Sequence, residues 1–376
     1  MRWVVKIGAA VLIGAGACAA LEIAARYSSS ASPTALRYRK ISQGFRDLAE
    51  LERDLRIGKT AYADYQLYTN APRSTPTFTI TPYYSSRRTP ASFPREDADT
   101  IVWTFGGSTM QNAETSDDLS IANAIATTLA AAGLRPRVEN FGIGSFQSSL
   151  EFIQFSRLLA RVSERERPQI AAFYDGFNDP THGYLYGAGA IQSDLSQKVG
   201  LLVEHNYGRL TLYALSAWLA EHSVAWTSLV HNRLQARLFN WHVADASEAN
   251  LAQTIAIYLN NVRMIQGVCR AYRISCFFVL QPLVVTKHPL AGEEGEALRE
   301  LPPPQVRFVR AFYQRVAAAL GQEPDFIDAS HILDGRAQSD FYDLGHTGAL
   351  TSPIIGRALG EALLTRQPAQ TSAARR

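Results

Sequence analysis

From Asp99 onward, short β-branched and aromatic runs alternate with amphipathic helical stretches, and this alternation constrains the fold more than any other feature. The first run, Thr100 to Phe105, ends in Gly106-Gly107. A second covers Arg137 to Phe141 and ends in a turn from Gly142 to Ser145. Gln169 to Tyr174, Ile274 to Leu280 and the weaker Phe326-Ile327-Asp328 complete the set. Between them, Leu119, Ile121, Ile125 and Leu129 recur at helical spacing, as do apolar residues over 148–162, 251–272 and 347–364. Parallel neighbours need a crossover between them, and the crossovers here have helical periodicity. The expectation is therefore an α/β domain, a parallel sheet covered by helices on both faces, over 99–366. The stretch from about 183 to 245 breaks the rhythm. It is helical and rich in Leu, Ala, Tyr and Trp, and reads as an insertion or cap.

The N-terminus has a different character. Arg2 and Lys6 precede the apolar stretch Ile7 to Ala25, broken by Glu22. Roughly twenty such residues cross a hydrocarbon core of ~30 Å. Three readings compete: a retained signal anchor over 1–26, a signal peptide cleaved after Ala17-Cys18-Ala19, and a lipoprotein signal ending at Cys18. The anchor is the expectation. It makes the membrane a partner and puts the remaining chain on the periplasmic side of the inner membrane, with Arg2 and Lys6 inside; secretion after cleavage is the alternative. Arg37, Arg39 and Lys40 beyond the stretch blunt that charge rule. Residues 27–98 read as a Ser-rich linker, a helical pattern over 35–57 and a Pro- and Tyr-rich extended segment, and 367–376 as a disordered tail.

Composition excludes some classes. Hydrophobic residues make up 47% and charged ones 19%, which suits a buried core. A net charge of +3 with no basic run beyond pairs such as Arg87-Arg88 argues against a nucleic-acid partner. Cys269 and Cys276 stand seven apart with no Cys or His at metal-ligand spacing, so no zinc site is expected. They are either a disulfide or two buried thiols beside a strand.

In an open parallel sheet, reactive groups gather at the carboxyl ends of the strands. Three such ends carry Gly106-Gly107-Ser108-Thr109, Asn140-Phe141-Gly142-Ile143-Gly144-Ser145 and Asp175-Gly176-Phe177-Asn178-Asp179. Asp343-Leu344-Gly345-His346 precedes the last helix. Each alone is an ordinary turn; together they supply an acyl-transfer site. Ser108 has the hydroxyl, which needs a base to act as nucleophile. His346 is that base, and Asp343 can hold its tautomer. Backbone N–H groups of Ser108 and Gly142 and the amide of Asn178 can hold the oxyanion.

These four blocks resemble those of the SGNH hydrolases, also called GDSL-like esterases and lipases. Ser108, in Gly-Gly-Ser-Thr, stands in a variant of their Gly-Asp-Ser block, and Gly142, Asn178 and His346 match the other three. The resemblance covers about residues 99 to 364. It implies a flavodoxin-like three-layer α/β/α sandwich with five parallel strands, ester hydrolysis through an acyl-enzyme, and no metal or organic cofactor. An envelope location makes O-acyl esters of a glycan or lipid the expected substrates, with O-acetyl favoured. An acyltransferase with the same triad and a silent glycan-binding scaffold are the alternatives. His182 reads as a surface histidine rather than a site residue. His205, His222, His231 and His242 lack partners for a metal. Trp218, Trp226 and Trp241 read as core. Asp175 and Asp179 read as loop caps, and Asp340 as a spare carboxylate ranked below Asp343.

Overall fold

The structure, a computed structural model, describes residues 16–27, 37, 60–191, 193–238 and 244–366. The chain divides into two compact units, one from Thr34–Ile191 with Val243–Arg376 and one from Met1–Pro33 with Gln192–His242. The helical pattern expected over 35–57, apart from Arg37, and the expected tail lie outside the described residues.

The larger unit is built on five parallel strands. These are β5 (Thr100–Gly106), β6 (Pro136–Asn140), β7 (Ile170–Asp175), β8 (Ser275–Leu280) and β9 (Phe326–Asp328), in the order β6-β5-β7-β8-β9. Every residue of β5 and β7 is buried, as strands covered on both faces should be. Register lines up Phe105, Phe173, Phe278 and Phe326 across four strands. The first three rings stack, with centroids 4.9 and 5.5 Å apart. Phe155 meets Phe173 edge-on at 5.4 Å. Such aromatic pairs add stabilisation beyond their buried area. Phe155 belongs to α3 (Ser148–Arg161), one of the crossover helices, with α1 (Ser108–Gln111), α2 (Ile121–Ala131) and α4 (Asn178–Tyr186) preceding or following it. The expected sheet and sandwich are present. Cys269 and Cys276 are joined as a disulfide, their Cα atoms 6.2 Å apart, so the thiol reading does not hold.

The Pro- and Tyr-rich segment is built into the sheet unit. It forms the hairpin β1 (Thr60–Ala63) with β2 (Leu67–Asn70), and pairs β3 (Arg73–Ser74) with β4 (Thr79–Ile80). Beyond them, Arg87 donates its N–H to Asn140 O at 2.8 Å and Phe93 donates to Pro136 O at 2.9 Å. Residues 87–93 thereby cover the outer edge of β6, an otherwise unpaired row of donors and acceptors.

Arg87 does more than cover an edge. Its side chain is fully buried. Nε pairs with Asp117 at 3.1 Å, Nη1 donates to Gln111 O and Asn112 O, and Nη2 donates to Thr115 O at 2.7 Å. The guanidinium thus ties down the chain leaving α1. Removing it leaves the carbonyls of Gln111, Asn112 and Thr115 without their donor and Asp117 with Arg88 as its remaining cation. We expect Arg87→Ala to cost about 3–5 kcal/mol, read as a lowered denaturant midpoint at unchanged slope.

Among the described residues no helix is long and apolar enough to cross a membrane. The first fifteen residues of the sequence, which hold part of the expected anchor, lie outside the described residues.

Candidate active site

Ser108 opens α1 directly after β5, with Gly107 as the turn between them. As first residue of a helix its N–H has no intrahelical acceptor. Gly107 must be glycine, because a Cβ there would collide with the side-chain nitrogen of Asn178. Asn178 is the first residue of α4, at the end of β7. Its Nδ2 donates to Phe146 O at 2.6 Å. An amide nitrogen carries two hydrogens, so one remains beside the serine turn.

His346 arrives from the other end of the chain. Its Nε2 lies 2.7 Å from Ser108 Oγ, a hydrogen bond across 238 positions of sequence. Its Nδ1 lies 2.7 Å from Asp343 Oδ2. Asp343 Oδ1 meanwhile accepts the N–H groups of Gly345 at 2.9 Å and His346 at 2.8 Å. One carboxylate therefore folds the loop and orients the imidazole. Tyr342 stacks on the ring at 5.7 Å and Phe177 meets it edge-on at 5.3 Å. Burial opposes charge on His346, but the carboxylates of Asp343 and Glu114 outweigh it and lift the ring to about 9. Burial pushes the Asp343 carboxyl up, yet His346 and two backbone donors hold it below its ordinary value. The ring side chain stays 14% exposed, so His346 and the Ser108 hydroxyl it meets open to solvent.

Gly142 is where the sequence reading needs correction. Its N–H donates to Asn140 Oδ1 at 2.9 Å and is not presented to a substrate. The residue is glycine for another reason: a Cβ would strike the backbone of Met110 and Gln111 in α1. Asn140 completes that junction by donating Nδ2 to Met110 O at 2.9 Å. Further along the turn, Ser145 has φ 65°, a left-handed conformation uncommon outside glycine. Among the described residues its N–H has no fold partner. The next carbonyl, Phe146 O, receives Asn178 and would lie 3.1 Å from a Cβ on Gly107.

Asp340 has a structural task. It is fully buried, paired with Lys287 Nζ at 2.8 Å and Arg336 Nε at 3.0 Å. Lys287 also binds Glu294 at 2.8 Å, whose Oε1 accepts the N–H groups of Asp340 and Phe341. This network anchors the start of the His346 loop. Asp179 caps α3, accepting Ser148 N–H at 3.2 Å and Ser148 Oγ at 2.5 Å. It thus links the loop bearing Asn178 to the one that begins at Gly142. Asp175 faces Glu151 of α3 in the interior. His182 is buried, not a surface residue, and burial lowers it to about 4. Trp218 is 57% exposed and Trp226 half-buried, so neither is core; Trp241 lies outside the described residues. No His, Cys, Asp and Glu group among the described residues is arranged to hold a metal.

No family model and no curated protein matches the chain. Solved structures do, several of them named as lipolytic, acylhydrolase or esterase proteins. They include a putative lipolytic protein of the G-D-S-L family from Desulfitobacterium hafniense, at 10% identity and TM-score 0.35, covering 70% of this chain and 100% of that one. TesA is similar at 13% identity and TM-score 0.38, covering 71% and 99%. A catalytic mutant of Axe2, an acetylxylan esterase from Geobacillus stearothermophilus, is similar at 11% identity and TM-score 0.38, covering 72% and 94%. These overlaps are loose, and the reading of the site rests on its own geometry.

Three carboxyls, Glu151, Asp175 and Asp179, share the buried region behind Asn178. Desolvation raises all three, Glu151 well above the usual range, Asp175 to about 8 and Asp179 to about 6, and repulsion from the neighbouring carboxylates adds to it at Glu151 and Asp175. The folded protein therefore holds protons that the unfolded chain releases near pH 4. Stability should fall as pH rises from about 4 to about 8. Glu151→Gln should flatten that slope, as read from denaturant midpoints across the range; an unchanged slope would mean these carboxyls do not titrate together.

Proposed function

We propose that this chain is a serine esterase of the SGNH type, with Ser108 as nucleophile, His346 as general base and Asp343 as the group orienting it. The observation that carries the reading is the continuous chain of hydrogen bonds Ser108–His346–Asp343, 2.7 Å at each link. Neutral His346 takes the Ser108 proton as Oγ attacks the ester carbonyl. The imidazolium formed is held by Asp343 and hands the proton to the leaving alcohol. Water then repeats the sequence on the acyl-enzyme, with His346 again as base. Charge on the carbonyl oxygen is held by the Ser108 N–H and the second Asn178 amide hydrogen. Because Gly142 is committed to Asn140, we assign the third donor to Ser145 N–H, an uncommitted group next to Phe146 in the turn beside Gly107.

The substrates we assign are O-acyl esters, with O-acetyl favoured, of a glycan or lipid of the cell envelope. Two features support an extracytoplasmic setting: the apolar stretch after Arg2 and Lys6, and a disulfide, which persists in oxidising compartments. Turnover on acyl esters of graded length and on acetylated glycans resolves the acyl and alcohol halves.

A fluorophosphonate probe should label the wild-type protein and fail to label Ser108→Ala. Folded wild-type protein that takes no label would sink the enzyme reading. His346→Ala should cut kcat on a small acetyl ester by about 10⁴-fold or more, and Asn178→Ala by about 10²–10³-fold. The pH profile follows from the base. Only neutral imidazole accepts the proton, so kcat/KM should climb with pH through the His346 pKa, above the ordinary histidine range. Asp343→Asn removes the charge that raises it, and should move that limb to lower pH while lowering kcat.

A further inference from the structure

The smaller unit has an inverted distribution of side chains. Among the described residues, ten of the fifteen large apolar side chains left exposed belong to it. Its own core is slight: Leu201 and Leu238 are buried, with Leu210, Tyr213 and Leu234 packed around them. Some of its polar groups are bonded inside it, while Glu204, His205, Glu221 and His222 are exposed. On α6 (Tyr207–His222), Ser216 is buried, and it receives Trp226 Nε1 at 3.1 Å and bonds His231 Nδ1 at 3.0 Å. Glu22, on the helix over 16–27, accepts Ser223 Oγ at 2.7 Å and the N–H groups of Val224 and Ala225 at 3.1 Å. Those three bonds lower its carboxyl to about 2.

The face opposite Ser216 is the informative one. Tyr207, Leu215 and Trp218 fall on one side of α6 and are 53, 56 and 57% exposed. Leu202 and Val203, at the end of α5 (Ser193–Val203), are exposed at 51 and 70%. The only formal charges on α6 are Arg209 and Glu221. A helix in water puts its apolar stripe inward and its polar groups outward. Here α6 keeps an apolar face in the open and bonds Ser216 to Trp226 and His231 behind it, as in proteins whose solvent is lipid, where polar side chains bond one another across helices.

We propose that this unit docks on a lipid bilayer through the face of α6 bearing Tyr207, Leu215 and Trp218, with its helices in the interface and not across it. Three observations favour lipid over a protein partner. The same unit contains the helix over 16–27, which carries the end of the apolar stretch Ile7 to Ala25. Leu21, Ile23 and Tyr27 on the helix over 16–27 are also exposed, giving apolar surface on more than one element. The exposed set mixes Trp and Tyr with aliphatics, the composition that settles at headgroup depth. The proposal stands apart from the esterase reading, since it concerns where the chain sits and not what it cleaves.

The test uses the full chain with Cys18→Ser, carrying one new cysteine at Leu215 or, as a second probe of the same surface, at Leu202. Glu96→Cys, at an exposed position of the sheet unit, is the reference. Each is labelled with an environment-sensitive nitrobenzoxadiazole dye and mixed with vesicles of phosphatidylethanolamine and phosphatidylglycerol. At positions 215 and 202 the emission should be quenched several-fold more by nitroxide-bearing lipid than at 96, and shielded from aqueous iodide. Iodide quenching at both positions equal to that at 96 overturns the proposal. So does shielding from iodide without any effect of nitroxide lipid, which would show the face buried against a second copy or another protein.

Discussion

The hydrogen bond from Ser108 to His346 depends on groups that the sequence keeps far apart and the sheet brings together. Ser108 needs β5 to be the strand beside the chain reversal of the sheet, with β6 on one flank and β7 on the other. That arrangement sets the turns after all three strands side by side. His346 needs its loop anchored, which the Lys287, Glu294 and Asp340 network does from beneath. Asp343 then fixes ring orientation with one oxygen and loop geometry with the other. Neither function requires Asp343 to change its protonation. A loop closed by the same carboxylate that orients the ring holds His346 against Ser108 with the ordering already done in folding.

Two buried charge arrangements border this site and differ in kind. Around Arg87 every donor nitrogen meets an acceptor, and the countercharge Asp117 is at hand. That arrangement is rigid, and it fixes the end of α1. Behind Asn178, Glu151, Asp175 and Asp179 meet Tyr258 with no cation among the groups that perturb them. Such a cluster stays buried by keeping protons. Its value to the fold is local: Asp179 secures Ser148, and thus links two loops that border the serine. The carboxyl that caps a helix and the amide next to it in sequence act on the same neighbouring loop from both sides.

Much of this was legible in the sequence because period and punctuation are local properties. Five strands, their crossovers and the Ser, Asn, Asp and His positions follow from β-branched runs, helical spacing and glycine at strand ends. What escaped was set by contacts distant in sequence. Gly142 carries a signal of close approach, but the sequence does not say what approaches; here it is the backbone of α1 and not a substrate. Arg87 looked like one of a surface basic pair, since nothing local reveals an acceptor set assembled thirty residues away. Glu151 did leave a trace. It shares a helical face with Leu150, Phe155 and Leu158, and a carboxylate on an apolar face is a buried acid in waiting. His182 left none, as burial of a lone histidine depends wholly on what packs over it.

The same reasoning shows why the stretch after residue 191 resisted prediction. Sequence patterning assumes water outside and hydrocarbon inside, so tryptophans and leucines at helical spacing read as core. In the smaller unit Trp218, Leu202, Leu212, Leu215 and Leu229 are exposed, while Ser216 bonds His231 and Ser223 bonds Glu22 within it. The spacing was read correctly and the direction was not, because periodicity specifies a face without saying which solvent that face meets. Glu22 shows the reversal best. In a spanning segment it is a defect; as an acceptor for the first turn after Ser223 it is the polar interior of a unit turned outward. A helix that carries both an apolar surface and such an acid is suited to lie along a membrane, with its charge satisfied on the protein side.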